Sequence, residues 1–122
     1  MLMLKKTCPV DYRMCRQTVT IYHKEGSTIT RTVHKKAFLD FRKNQTVDKT
    51  GNREANAFLL VIPCQTQAVF VGDKVLLGEG PEASTQKEWS ALIPAAVPNL
   101  CVVKYVDPKY WGTQMIHVEA GG

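Results

Sequence analysis

Long apolar segments are missing from this sequence. Its longest apolar run covers residues 57–64, whereas a membrane-spanning helix needs about 20 residues. No secretory signal is expected, because residues 1–4 are apolar and stand before Lys5 and Lys6, the reverse of the usual order. A length of 122 residues, with 44% hydrophobic and 22% charged residues, is typical of one globular domain. We therefore expect a single domain over residues 1–122, with residues 1–16 as an N-terminal arm.

Patterns typical of catalytic and metal sites are also scarce. The four cysteines lack the close pairing of a structural zinc site, and we expect all four to be reduced. His117 and Glu119 share one face of an expected strand, but they supply only two ligands. The glycines at positions 72, 78 and 80 are not followed by the Gly-Lys-Ser/Thr of a phosphate loop. The sequence therefore predicts no enzyme, no bound metal and no cofactor.

Negative charge is scarce in the first third of the chain. Residues 1–36 carry a net charge of +6, residues 37–62 of +1 and residues 63–122 of −2, within a total of +5. Such asymmetry is compatible with a phosphate-binding surface, an acidic partner, or self-association between unlike faces. A basic face that only keeps the protein soluble is a further interpretation.

Alternating β-branched residues predict strands in the first half. Residues 17–23 and 28–34 alternate in this way on either side of a glycine-containing turn, so residues 17–34 are predicted to form a hairpin. The segments 37–43 and 57–62 flank a polar loop, which predicts a second hairpin with a long tip at residues 47–56. Pro63 should end the last of these strands or place it at a sheet edge.

Short strands and turns also dominate the second half. Thr85 and Glu88 have the spacing of a capping box, which predicts a short helix that ends before Pro94. Residues 100–106 are apolar except for Lys104, which predicts a central strand covered on both faces. The predicted fold is mainly β: a small antiparallel β-barrel or sandwich with a long projecting hairpin loop and at most one short helix.

Aromatic residues adjoin cations at Tyr22 and within residues 38–43. A small barrel that binds single-stranded nucleic acid would need such residues as a stacking surface. Phe38 and Phe41 are three residues apart, so a regular strand places them on opposite faces and they cannot form one platform without a bulge. The other interpretation puts both rings in the core, with the cations as solvated neighbours. An OB-like protein that binds single-stranded nucleic acid is the alternative function.

Three segments carry a resemblance to a known family: VGDKVLLGEG at residues 71–80, LCVVKYVDPKYWG at 100–112 and HVEAGG at 117–122. They resemble small minor capsid and head-tail joining proteins of tailed phages and prophages of Gram-positive gut bacteria, from about residue 18 to the end. The resemblance implies a structural virion protein, a head-closure or stopper subunit that assembles as a homo-oligomeric ring beneath the portal and helps to retain packaged DNA. An adjacent adaptor or tail-completion role stays open.

The resemblance also implies partners and positions. The partners would be portal or adaptor and tail proteins, with non-specific contact to packaged double-stranded DNA and no membrane. The location would be the virion, assembled in the bacterial host cytoplasm. Such proteins carry a loop that projects towards the channel, so we expect Lys43, Lys49 and Arg53 to line it and to bind phosphates without reading sequence. A ring also needs unlike faces to meet. The residues expected at subunit or portal contacts are Lys5, Lys6, Arg13, Arg16, Asp73, Glu79 and Glu82.

Overall fold

The computed structural model of the chain describes residues 11–44, 55–94 and 96–122, except for the side chains of residues 42–44 and 55–56. The elements in chain order are β1 (Gln17–Glu25), β2 (Thr28–Asn44), β3 (Ala55–Pro63), β4 (Lys74–Leu77), α1 (Gln86–Ala91), β5 (Leu100–Val102), β6 (Tyr105–Trp111) and β7 (Gln114–Gly121). Both predicted hairpins are present at the expected places, and Pro63 ends β3 as predicted.

The seven strands form one antiparallel sheet in the order β5-β4-β1-β2-β3-β7-β6. The sheet curls into a half-barrel, and the described residues contain one short helix, so the prediction of a mainly β, barrel-like fold is confirmed. Strands twist right-handedly, and the accumulated twist lets a sheet of this width curl around its own apolar face. No helix among the described residues is long and apolar enough to cross a membrane.

The two end strands of the sheet come from one stretch of the chain, residues 100–111. Val103 lies between them, and its backbone exchanges hydrogen bonds with the 72–73 turn before β4, at 2.8 and 2.9 Å. The next residue, Lys104, donates its backbone N–H to the Gly121 carbonyl of β7 at 2.8 Å. The prediction of one central strand over residues 100–106 is therefore wrong. The segment divides because its two halves pair with strands on opposite ends of the curled sheet.

Strand β2 joins the two halves of the sheet. Its first part pairs with β1, from Thr28 opposite Glu25 to Ala37 opposite Gln17, and its second part pairs with β3. A register shift between Gln17 and Val19 places an extra β2 residue at the junction, which is a β-bulge that bends the strand. The side chain of Gln17 accepts the Leu39 N–H at 2.8 Å just beyond the point where β1 pairing stops.

Side chains on the concave face of the sheet form the main core. Alternation along each strand places every second residue on this face, as the β-branched patterns predict. The buried members are Val19, Ile21, Ala37, Leu39, Phe58, Leu60, Ile62, Val69, Val75, Cys101, Val103, Val118 and Ala120. Each large aliphatic side chain buried here contributes about 1.5–3 kcal/mol relative to exposure.

A second apolar cluster covers the convex face of β1, β4 and β5. It contains Tyr22, Leu76, Ala83, Leu92 and Leu100, with Trp89 of α1 packed against it. The predicted capping box is confirmed, since the Thr85 hydroxyl accepts the Glu88 N–H and the Glu88 carboxylate accepts the Thr85 N–H. The cap fixes where the helix begins, and this positions the covering segment against the sheet.

Candidate functional site

The most distinctive feature of the fold is the far end of the β2–β3 hairpin. Strand β1 stops pairing with β2 at Ala37, and β7 pairs with β3 only from Leu59 onwards. Among the described residues, the pairs Arg42–Ala57, Lys43–Asn56 and Asn44–Ala55 therefore have no third strand beside them. At about 3.4 Å per residue these pairs extend the hairpin by roughly 10 Å beyond the sheet. We call residues 42–57 the projecting hairpin.

The predicted channel residues belong to this hairpin. Lys43 lies on the last part of β2, opposite Asn56 of β3, although its side chain is not described. Lys49 and Arg53 fall on the connecting residues 45–54, which lie outside the described residues, as does most of the predicted tip 47–56. The structure thus describes the two strands that flank residues 45–54, and Lys49 and Arg53 belong to those residues by sequence.

The predicted contact residues occupy several surfaces. Lys5 and Lys6 lie outside the described residues. Arg13 and Arg16 are exposed just before β1, and Arg13 Nε pairs with Asp11 at 2.6 Å. Glu79 and Glu82 are exposed on the chain between β4 and α1. These surface positions leave the side chains accessible for a contact with another molecule.

Asp73 differs from the other predicted contact residues. Its side chain is only 2% exposed, and its carboxylate accepts hydrogen bonds from the Phe70 N–H at 2.9 Å and from His23 Nδ1 at 2.5 Å. Burial raises the pKa of this carboxyl, and the bond to His23 acts in the opposite direction. Asp73 therefore holds the 70–73 turn inside the subunit and is not available for a contact at a subunit surface. The sequence predicted a polar turn at Asp73, but it did not indicate that the carboxylate is buried.

The aromatic residues of the nucleic-acid alternative do not form a stacking surface. Tyr22 is fully buried, and its hydroxyl donates to the Pro81 carbonyl at 2.5 Å. Phe41 packs against the concave core, whereas Phe38 lines a cavity on the convex face. The prediction that Phe38 and Phe41 lie on opposite faces is thus confirmed. The neighbouring cations suggested that the Tyr22 ring is exposed to solvent. The ring is buried because a segment about 60 positions later in the chain covers it.

The N-terminal arm forms a site that the sequence did not indicate. The Tyr12 hydroxyl hydrogen-bonds His117 Nδ1 of β7 at 2.7 Å, and the two rings meet edge to face at 5.5 Å. His117 Nε2 lies 3.0 Å from a Glu119 carboxylate oxygen. Because a carboxylate only accepts, Nε2 donates the hydrogen bond to Glu119, while Nδ1 makes the bond to the Tyr12 hydroxyl. This network fastens residues 11–16 across the convex face of the second half of the sheet.

Two cavities open on this convex face, one on each side of Tyr12. The first has a volume of about 360 Å³ and is lined by apolar groups of Met14, Phe38 and Val61, with Asp11 and Glu119 at its polar end. The second, of about 430 Å³, lies between Tyr12 and the turn side of β7. We call the first cavity the outer groove. Its apolar wall suits a hydrophobic side chain better than a charged ligand.

The His117–Glu119 pair does not extend to a metal site in the described part of the chain. No group of three or more His, Cys, Asp and Glu side chains is close enough together there to hold an ion. The described cysteines, Cys15, Cys64 and Cys101, are free thiols, and burial raises the pKa of Cys101 to about 12. A thiol of this kind is a packing residue and not an activated nucleophile.

The architecture defines a mainly β, barrel-like domain with a projecting hairpin. Residues 14–122 match a family of unknown function (DUF6751), and the chain therefore belongs to that family. No curated protein and no solved structure matches the chain. The matched range includes the projecting hairpin and most of the outer groove, and residues 1–13 precede it.

Proposed function

We propose that this protein is a structural subunit of a tailed phage or prophage virion. In this role it acts at the head-tail junction as a head-closure subunit, assembles as a ring beneath the portal and helps to retain packaged DNA. The proposal joins the resemblance of residues 71–80, 100–112 and 117–122 to such proteins with the shape of the fold. The projecting hairpin is the observation that carries it.

No third strand among the described residues pairs with the far end of this hairpin, so pairing within the sheet does not account for its length. In a ring of subunits, a hairpin directed inwards from each copy would narrow the central opening. The connecting residues 45–54 carry Lys49 and Arg53 by sequence, and Lys43 lies on the adjacent strand. Cations there would bind DNA phosphates in any sequence context, as retention of a packaged genome requires.

Exposed charges of both signs support assembly into a ring. The exposed cations Arg13 and Arg16 precede β1, whereas Glu79 and Glu82 lie on the segment that follows β4. That segment is fixed to the sheet, because the Thr20 hydroxyl donates to the Gly78 carbonyl and accepts the Gly80 N–H, both at 2.8 Å. A rigidly held acidic surface can meet the basic one of the next copy in a heterologous contact.

The location is tested by mass spectrometry of purified particles. Virions are induced from a host that carries the gene, separated on a density gradient and digested for peptide identification. We expect peptides of this chain in DNA-filled particles at a ratio of several copies per portal ring. Peptides found only in the soluble cell fraction would refute the proposal.

The role of the cationic loop is tested with the double variant Lys49→Gln/Arg53→Gln. Because each phosphate contact contributes about 0.9 to the slope of log K against log[salt], we expect the slope for duplex DNA to fall in magnitude by about 2. The control is Lys87→Gln/Lys104→Gln, which removes the same charge at exposed sites on α1 and beside β5. Phage that carry the loop variant should also lose DNA to nuclease more often than the control phage.

The same measurements distinguish the alternative function. A monomer that binds single-stranded oligonucleotides more tightly than duplex DNA, and that is missing from particles, would favour the single-stranded nucleic-acid protein. An equal decrease in the salt dependence of duplex-DNA binding in the loop variant and in the control would show that Lys49 and Arg53 contribute no more to DNA binding than other surface lysines.

A further inference from the structure

We propose that residues 1–6 of one copy dock into the outer groove of a neighbouring copy. The proposal rests on the proposed function, because it names the contact through which copies of the chain would assemble. It concerns a surface that lies apart from the projecting hairpin, on the convex face of β2, β3 and β7.

The outer groove presents apolar surface that the described residues leave uncovered. Met14, which is 71% exposed, lines it together with Phe38 and Val61, which are partners on the paired strands β2 and β3. Exposed apolar patches of this kind in soluble proteins commonly mark interaction sites. The Tyr12–His117 contact makes one wall rigid, so the groove is formed before any partner arrives.

The first six residues have the composition that this groove would bind. Met1, Leu2, Met3 and Leu4 are four consecutive apolar residues, and Lys5 and Lys6 follow directly. Apolar side chains gain about 25 cal/mol for each Å² removed from water. The flexible Met side chains adapt to irregular walls.

The charges of the groove complement the two lysines. The carboxylates of Asp11 and Glu119 lie at its polar end. Asp11 already pairs with Arg13, and Glu119 with His117. A carboxylate has about four lone-pair positions, so each can also accept from a lysine. A segment with apolar residues followed by two lysines can therefore pack against the apolar lining and also pair with the two carboxylates of the groove.

The length of chain before the groove lets residues 1–6 reach a neighbouring copy. Asp11 and Tyr12 line the groove, and residues 1–6 precede them in the sequence. Ten extended residues span about 33–36 Å, more than twice the radius of gyration of about 14 Å expected for a domain of this length.

Photo-crosslinking with mixed isotopes tests the proposal on the full chain. Leu4 is replaced by p-benzoylphenylalanine, and equal amounts of ¹⁴N and ¹⁵N protein are mixed at high concentration, irradiated and digested. We expect crosslinks from residue 4 to peptides that contain Met14, Phe38 or Val61, with half of them joining one light and one heavy peptide.

A charged variant tests whether the groove is the site. Met14→Asp places a carboxylate in the apolar mouth at an exposed position, so it should not disturb folding. We expect the yield of mixed-isotope crosslinks to fall at least about tenfold, which corresponds to the loss of one decade in affinity. The matched control is Ser27→Asp, which adds the same charge in the exposed turn between β1 and β2.

The possible outcomes separate this proposal from the proposed function. Crosslinks that join only peptides of one isotope would show docking within a copy and overturn the exchange. An oligomer that forms without crosslinks to the groove would overturn the docking site and leave the ring standing. Mixed-isotope crosslinks from a protein that is missing from virions would support the docking and refute the virion role.

Discussion

Replacement of Gly80 by alanine should destabilise the fold through one specific overlap. A Cβ at this position would lie 2.5 Å from Leu76 Cδ2 and would also overlap the hydroxyl of Tyr22. Neither side chain can move freely, since Tyr22 is fully buried and donates to the Pro81 carbonyl. Gly80 does not have a positive φ, so the cost comes from the overlap and not from the backbone.

The expected loss can be worked from these contacts. Overpacking in a rigid cluster costs about 1–3 kcal/mol, and displacement of the Tyr22 hydroxyl from its acceptor adds about 1–3 kcal/mol. The reduced entropy of the unfolded chain offsets about 0.4–1 kcal/mol. We therefore expect the free energy of unfolding to fall by about 1–6 kcal/mol, and the melting temperature to fall by about 4 °C for each kcal/mol.

Urea unfolding followed by far-UV circular dichroism measures this change. Tyr22→Phe removes one of the two overlapping atoms, so the Gly80→Ala loss should be smaller in that background. The control is Gly112→Ala, where φ is +66° and no atom lies within 4 Å of the added Cβ. Gly112→Ala should lower the free energy of unfolding by about 1–2 kcal/mol because the residue has a left-handed backbone conformation, and this loss should not depend on Tyr22. An unchanged urea midpoint for Gly80→Ala would refute the close approach.

Two further predictions concern single side chains. Burial lowers the pKa of His34, whose Nε2 has no hydrogen-bond partner among the described residues. The neutral ring therefore contributes its full stability above the unfolded pKa of about 6.5, and this stability is lost as pH falls towards the lower pKa of the folded state. Urea midpoints should therefore fall more steeply from about pH 7.5 to about pH 5 in the wild type than in His34→Leu, and equal slopes would contradict this. Thr85→Ala should lower the free energy of unfolding by about 1 kcal/mol through loss of the capping box. The control is Thr113→Ala in an exposed turn, and equal urea midpoints for the two variants would refute the role of the cap.

The candidate site was predictable only in part. The projecting hairpin followed from two alternating segments and a polar loop between them, which are features of neighbouring residues. The outer groove did not, because Tyr12 and His117 are 105 positions apart and neither carries a local pattern that indicates the other. The one local signal was the pair His117 and Glu119 on one strand face, which by its spacing indicated only two possible metal ligands and not a contact for the arm.

The chain end gives a similar contrast. A glycine carries no side chain that would indicate burial in the sequence, yet Gly121 is the last residue of β7 and is buried. A Cβ there would lie 2.5 Å from Tyr105 Cζ, so the Tyr105 ring packs directly on the glycine. Close approach of another side chain is a tertiary reason for glycine, and no local pattern reveals it.

The sequence by itself determined both hairpins in the first half and the helix cap of this protein, because each depends on residues within a few positions of one another. Alternation requires only one face to be apolar, and a capping box requires only Thr85 and Glu88. The tertiary structure decided which faces are covered and which ends of the sheet meet. Tyr22 and Asp73 became interior residues because distant segments close over them, and residues 100–111 divided between both sheet ends because the sheet curls.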